Sequence, residues 1–436
     1  MKEKIIKYID NNKKWLFETL LEIISKDTIN RLNSGNENNG QDLVENIFRK
    51  MNLKIDRFSP DEVKGLKKHP AYLAGRNYSN RDNIVGYIGN NSKKTIIFSS
   101  HIDTVPTENL NWTKSGPLSP KIIGDKIYGI GALDMKGGLA ASIFALKTII
   151  DLGIDIDGRV ILESVIDEEF GGANGTLACI TRGYEGDFAI IPEPTGMNIC
   201  PVCISQKLFS IEIRGKVGVK MDSGSNENEP DNPIFLANKL INALLEYENY
   251  LNSLKHNHLF YKDQGKPIFF IASGIRSGVI EEDRLWTTPD ILNLNLAVRN
   301  YPDGCETEEL FDKKLYEFLF RDTLLNKKIK DGTITFNKHY RFFPGPRFNI
   351  NSKKNKQYLN ILIESGKDTT NKELKISGAN FAGDLFMFNN FSSTPAVFFG
   401  PGGGNAHTAD EFVYADDIVN LSKVFAYFVC RTICLQ

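Results

Sequence analysis

The sequence predicts an α/β protein: a mainly parallel sheet covered by helices, interrupted by a smaller inserted α/β sandwich. Three observations predict it. From about residue 10 to 205, short apolar runs alternate with helical patterns, as a parallel sheet requires. From about 206 to 340 the rhythm changes to strand-like runs around one long amphipathic helix. Beyond "FFPGPRFNINSKK" the first rhythm returns. The expected organisation is therefore one domain built from residues 1–205 and 341–436, with a second domain, 206–340, inserted into it.

Each element has its own signature. In "MKEKIIKYIDNNKKWLFETLLEII", Ile5, Ile6, Ile9, Leu16 and Leu20 recur at helical spacing between charges, so the chain opens on an amphipathic helix. "NIVGYIG", "TIIFSS", "RVILESVI" and "FAIIPEP" read as strands, and "KGGLAASIFALKTIIDLG" as a helix ended by Gly153. In the insert, "KLFSIEIRGKV", "KPIFFIAS" and "ILNLNLAVRN" read as strands beside the helix "NPIFLANKLINALLEYENYLNSL". "TPAVFFG" is a buried strand, and "ADDIVNLSKVFAYFVCRTIC" is a closing helix. The polar loops "NSGNENNG" and "MDSGSNENEPDNP" read as exposed connections, and no internal repeat is evident.

Composition narrows the classes of function. The chain has 436 residues, 41% hydrophobic and 25% charged, with a net charge of -1. That balance offers no basic surplus for nucleic acid or anionic lipid, so a small molecule is the expected partner. No apolar run reaches the roughly 18 residues that span a bilayer, and the first residues lack the continuous apolar core of a signal peptide. Six cysteines in so long a chain make no disulfide scaffold, and a cytoplasmic location is expected.

The chemistry gathers where strands end. "IIFSSHID" delivers His101 and Asp103, and "YGIGALDMKGG" delivers Asp134 just before a helix. "ESVIDEEFGG" delivers Glu168 and Glu169, "AIIPEPTG" delivers Glu193, and "FFGPGGGNAHTADE" delivers His407. In an open α/β sheet the ligand crevice lies outside the carboxyl ends of the strands, so these loops can converge. Carboxylates crowded in a cleft repel one another, and divalent cations are the usual remedy. Imidazole mixed with carboxylate favours zinc, with cobalt or manganese as alternatives. This donor set is too large for one catalytic zinc and suits two ions sharing a bridging carboxylate.

In order and spacing, "SSHIDTVP", "YGIGALDMKGGLAA", "VIDEEFGG", "IIPEPT" and "GPGGGNAHTADE" resemble the motifs of the co-catalytic zinc metallohydrolases. That family includes acetylornithine deacetylase, succinyl-diaminopimelate desuccinylase, carboxypeptidase G and aminoacylase. "SPDEVKGLKKHPAYLAGRNYSNRDNIVGYIG" looks closest to the deacetylase and desuccinylase-like branch. The resemblance implies a catalytic domain carrying an inserted lid and dimerisation domain, two zinc ions and a homodimer. It implies that His101, Asp134 and Glu193 hold one ion, that Asp134, Glu169 and His407 hold the other, and that Asp134 bridges them. Asp103 would accept a hydrogen bond from the far nitrogen of His101 and fix its tautomer. Glu168 would be the general base that takes a proton from the attacking water and passes it to the leaving amine. Gly402, Gly403 and Gly404 would bring backbone N–H groups to the substrate carboxylate or its surroundings. Arg299 would grip a carboxylate with its fork, although an ion pair within the insert is an equal alternative.

The pattern departs from the family in two places. The insert's histidine, in a Gly-Lys-x-x-His-like motif, is replaced in "RGKVGVKMDSGS" by Val219, and an Asn-Val-Val-Pro-like turn is missing from "SGIRSGVIEEDRLW". Losing an oxyanion donor costs roughly a hundredfold or more in rate. Lys220, Arg276, His256 and His258 are candidate replacements. His69, His256, His258 and His339 otherwise read as surface residues, and "CPVC", Cys200 to Cys203, reads as buried free cysteines, as do Cys430 and Cys434. The expected function is metal-dependent removal of an acyl group from an N-acyl amino acid or related small amide. The alternatives are a dipeptidase or carboxypeptidase, a biosynthetic tailoring amidohydrolase, and a metal-binding protein that has lost turnover.

Overall fold

The structure is a computed structural model that describes residues 1–90, 93–172, 174–215, 232–254, 258–278, 288–338 and 341–434. These divide into two compact units, one of residues 1–202, 347–379 and 383–436, the other of residues 203–346 and 380–382.

The first unit is built on an eight-stranded sheet. Its strands in chain order are β1 (Lys54–Phe58), β2 (Asn83–Gly89), β3 (Thr95–His101), β4 (Arg159–Val165), β5 (Phe188–Ile191), β6 (Ile199–Cys203), β7 (Ile376–Ala379) and β8 (Ala396–Phe398). They lie in the order β7-β6-β8-β5-β3-β4-β2-β1. The central strands β8, β5, β3 and β4 run parallel, whereas β4 with β2, β2 with β1 and β6 with β8 pair antiparallel. The sheet is thus mixed, with a parallel centre. Strands buried on both faces need continuous apolar sequence, which "TIIF" and "FAII" supply.

Helices cover that sheet. The helix Lys2–Ile24 buries Ile5, Ile9, Leu16, Leu20 and Ile23 at helical spacing, and it packs on Gly137–Asp151 and on the closing helix Ala415–Ile433. Gly138 allows close contact at the start of its helix: a β-carbon there would lie 2.3 Å from the carbonyl oxygen of Pro192. No helix of the described residues is long and apolar enough to cross a membrane.

The second unit has a four-stranded antiparallel sheet in the order Phe270–Ser277, Ile291–Asn300, Ser205–Arg214, Ile334–Lys338. Burial alternates residue by residue along Ser205–Arg214, the mark of a sheet covered on one face. Its helices begin on residues with the chemistry to start them. Asn232, ahead of Pro233, accepts from the Ile234 N–H, and Thr307 and Asp322 cap Glu308–Leu319 and Thr323–Lys330.

One buried group sits awkwardly in the first unit. Glu163, in the middle of β4, is fully buried, with Ser99 and Arg159 as its polar neighbours, and burial pushes its carboxyl up to about 8. Folded protein therefore keeps a proton that unfolded protein releases, so its stability falls as pH rises from the ordinary carboxyl range through about 8. Glu163→Gln removes this dependence. Its stability relative to the parent should improve by about 2 kcal/mol or more between pH 5 and pH 8.5, measured by denaturant unfolding at both values.

Candidate metal centre

Four parallel strands ending on one side of a sheet place their following residues together. His101 is the last residue of β3, Glu168 and Glu169 follow β4, Glu193 follows β5, and β8 leads through Gly400 towards His407. Asp134 comes from the turn before the helix Gly137–Asp151, and its peptide bond to Met135 is cis.

The side chains meet as the motif order implies. His101 Nε2 lies 3.1 Å from Asp134 Oδ1 and 3.7 Å from Glu193 Oε1. His407 Nε2 lies 3.2 Å from Asp134 Oδ2 and 2.8 Å from Glu169 Oε2. Asp134 thus turns one oxygen to each imidazole. Ligand atoms of His101, Asp134 and Glu169 all fall within 4.8 Å of one another. Among the described residues no lysine or arginine pairs with Asp134, Glu169 or Glu193, and the cysteines, including Cys200, Cys203, Cys430 and Cys434, form no metal-ligating group.

The electrostatics fit a cation site. Burial, then Asp384, pushes Glu168 well above the carboxylate range; burial, then Asp134, does the same to Glu193, and burial also raises Glu169. His407 is pushed up to about 12, chiefly by Glu169. For His101, burial works against the charged form, but the Asp134 hydrogen bond and the Glu193 charge outweigh it and raise the imidazole well above its usual value. Imidazolium cations are here the substitutes for other positive charge. A crowded donor set of two imidazoles and three carboxylates, with His407 half exposed and the others largely buried, is the chemistry of a divalent transition-metal site.

Two expectations need correction. The His101 Nδ1 faces the main-chain oxygen of Asp103 at 3.0 Å, whereas the Asp103 carboxylate is 3.7 Å away. That carboxylate is committed elsewhere, accepting from Glu168 N at 3.2 Å, Glu169 N at 2.9 Å and Asn30 Nδ2 at 2.9 Å. The glycine run also has other work than cradling an anion. Gly402 donates its N–H to Asp417, and Gly403 and Gly404 pair with Val413 and Phe412 in a strand ladder. A β-carbon on Gly403 would lie 2.1 Å from the Phe412 carbonyl oxygen, so the backbone approach that demands glycine is to its own chain.

Arg299, half-buried on Ile291–Asn300, donates Nε to Gln206 Oε1 at 2.6 Å and has no carboxylate partner among the described residues. Arg276 is exposed. His258, expected at the surface, is mostly buried, with Nδ1 3.1 Å from Asp303 and its ring stacked on Tyr301. His69 sits edge-on to Phe391. Val219, Lys220, His256 and His339 lie outside the described residues.

Sequence reading missed Glu411, although it ends the motif "GNAHTADE". Its buried carboxylate accepts from Gly131 N, Leu133 N and Asp134 N, at 2.9, 2.9 and 3.0 Å, and fixes the loop that carries Asp134. It missed Asp384 too, whose carboxylate faces Glu168 and is held by the Thr176 hydroxyl. Neighbouring Gly383 leaves Glu168 its room: a β-carbon there would come 3.3 Å from Glu168 Oε1.

Comparison with known sequences decides the family: the sequence model of peptidase family M20/M25/M40 matches residues 97–431. The chain belongs to that family. Family membership makes it a metal-dependent amidohydrolase, in agreement with the motifs. It is 23% identical over 449 residues to N-formyl-4-amino-5-aminomethyl-2-methylpyrimidine deformylase of Halalkalibacterium halodurans, covering 98% of this chain and 96% of the relative. It is 25% identical over 426 residues to succinyl-diaminopimelate desuccinylase of Orientia tsutsugamushi, covering 96% of each. Among solved structures of the family's fold, the dipeptidase Dug1p of Saccharomyces cerevisiae matches with a TM-score of 0.73 at 12% identity, covering 98% of each chain.

Because both imidazoles are held cationic by the surrounding carboxylates, an ion binding here must displace their protons. Zinc titrated calorimetrically at pH 7, in buffers of differing ionisation enthalpy, should release two or more protons per protein, from the imidazoles and from the raised carboxyl of Glu193. Glu411→Ala, which strips three buried N–H groups of their acceptor, should cost about 2–4 kcal/mol of stability and weaken zinc at least about tenfold, read by denaturant melts and chelator competition.

Proposed function

We propose that this chain removes the acyl group from an N-acyl amino acid or related small amide, using two zinc ions, with Glu168 as general base. The observation that carries the reading is Asp134, one oxygen at His101 and the other at His407, with Glu193 beside the first imidazole and Glu169 beside the second. His101, Asp134 and Glu193 would hold one ion, and Asp134, Glu169 and His407 the other. Ions bound there would supply Lewis acidity towards the carbonyl and lower the pKa of water towards 7.

The chain's own groups do the remainder. Glu168, adjacent to Glu169 yet free of His407, is raised in proton affinity by burial and Asp384, which suits it to take a proton from the attacking water and return it to the departing amine. Asp103 fixes both glutamates through their amides, and its main-chain oxygen fixes the His101 tautomer. Arg299, with no carboxylate partner among the described residues, is suited to a substrate carboxylate.

Both named relatives take an acyl group from an amine, a formyl group in one and a succinyl group in the other, which supports deacylation over peptide cleavage. The likeness to Dug1p is one of fold. A homodimer belongs to this reading by family membership.

Amine release should be assayed on N-formyl, N-acetyl, N-succinyl and dipeptide substrates with zinc, cobalt or manganese. One acylated class should be hydrolysed only when metal is present. Glu168→Ala should keep its metal and lose turnover by about 100-fold to 10,000-fold. A Glu168→Ala protein as active as its parent would remove the general base from the mechanism, and no metal-dependent release from any substrate would favour a protein that binds without turnover.

A further inference from the structure

The segment "GRNYSNRDN" contains two arginines that the chemistry above leaves unused. Arg76 and Arg81 have side chains only 1% exposed, and both reach Asp167, which is fully buried and directly precedes Glu168 and Glu169. Asp167 adopts the left-handed backbone conformation, φ 67°, at the point where the chain leaves β4 and turns towards the cluster.

Its carboxylate is saturated with donors. Arg76 Nε lies 3.0 and 3.2 Å from the two oxygens, Arg81 Nη2 3.1 Å, Asn30 Nδ2 3.1 Å and the Tyr78 hydroxyl 2.7 Å. Arg76 also covers the ring of Phe170 at 4.6 Å, so it grips the turn on both sides of the glutamates. Arg81 pairs in addition with buried Glu37. Asn30 joins this group to the centre. Its Oδ1 accepts from Arg76 Nη2 at 2.7 Å and Arg81 Nη2 at 2.9 Å, while its Nδ2 also donates to Asp103, the acceptor of the Glu168 and Glu169 amides.

Two arginines buried with carboxylates give little net stability over apolar side chains of like volume, because desolvation offsets the attraction. Fixed geometry is what such an arrangement provides. We propose that Arg76 and Arg81 are positioning residues: through Asp167 and Asn30 they lock the turn 167–169 and so aim Glu168 and Glu169. This rests on the roles of those two glutamates given under the proposed function.

The test uses the full chain with Arg76→Lys, which keeps the charge but loses the fork, and Asp167→Asn. Leu421→Ala in the closing helix, a destabilised variant remote from the network, serves as control. Three quantities are read: zinc affinity by competition with a chromophoric chelator, hydrogen exchange of residues 166–170 in metal-free protein, and kcat with KM on the substrate identified by the assay. Both network variants should bind zinc about 10–100-fold more weakly, exchange faster at 166–170, and lose at least about tenfold in kcat with KM within about twofold. The control should match the parent in all three. Network variants that melt earlier but keep parental zinc affinity and exchange would reduce the network to a structural cluster and overturn the proposal. If either variant does not fold, Asn30→Ser, which cuts the link to Asp103 without removing a charge, is read against the same outcomes. A parent without hydrolytic activity would overturn the proposed function, and zinc affinity and exchange would still judge the positioning role.

Discussion

Like charges held close together are the constraint on which this structure depends. Asp134, Glu169 and Glu193 stand around two imidazoles, and Glu168 stands beside them, with no lysine or arginine of the described residues paired to the inner three. The outer carboxylates are treated differently. Asp103 receives two backbone amides, Glu411 receives three, and Asp167 receives two guanidinium groups. Arginines and backbone N–H groups thus hold the outer ring, and the inner ring has only its two imidazoles for counter-charge, which a bound cation can replace.

The fold makes this arrangement affordable in conformational terms. Parallel strands β8, β5, β3 and β4 fix the direction in which their following residues emerge, so side chains distant in sequence need little further ordering to meet. The two remaining contributors are not strand ends, and each has a tether. Glu411 ties the loop of Asp134 to the segment that carries His407, and Asp410, accepting from Thr113 and Lys114, ties that segment to a further loop.

Much of this was legible in the sequence, for reasons that differ by element. The strands of the first unit were readable because burial on both faces forces continuous apolar runs, and "TIIF" and "FAII" carry them. The ligand cluster was readable because chemistry fixes residue type and the strand ends fix spacing. The antiparallel flanks of the sheet were not, since strand direction leaves no mark in a short apolar run. Nor was the second layer. Whether His101 meets the carbonyl or the carboxylate of Asp103 depends on a rotation that sequence does not encode, and a glycine run looks the same whether it admits an anion or its own neighbouring strand. Arg76, Arg81 and Glu411 are ordinary charged residues in sequence, and only burial shows what they hold.

The position of β8 has a consequence for how the molecule comes into being. It is the last of the eight strands in the chain, yet it lies between β6 and β5 in the middle of the sheet. A growing polypeptide emerging from the ribosome can therefore pair β5 with β3 early, but β6 waits without the neighbour that joins it to them. The gap is closed only by the last of the eight strands to be made, and the segment that follows it delivers His407. Long-range closure of this kind is slow and leaves apolar strand edges exposed meanwhile, and the centre is completed in the same step that seals the core.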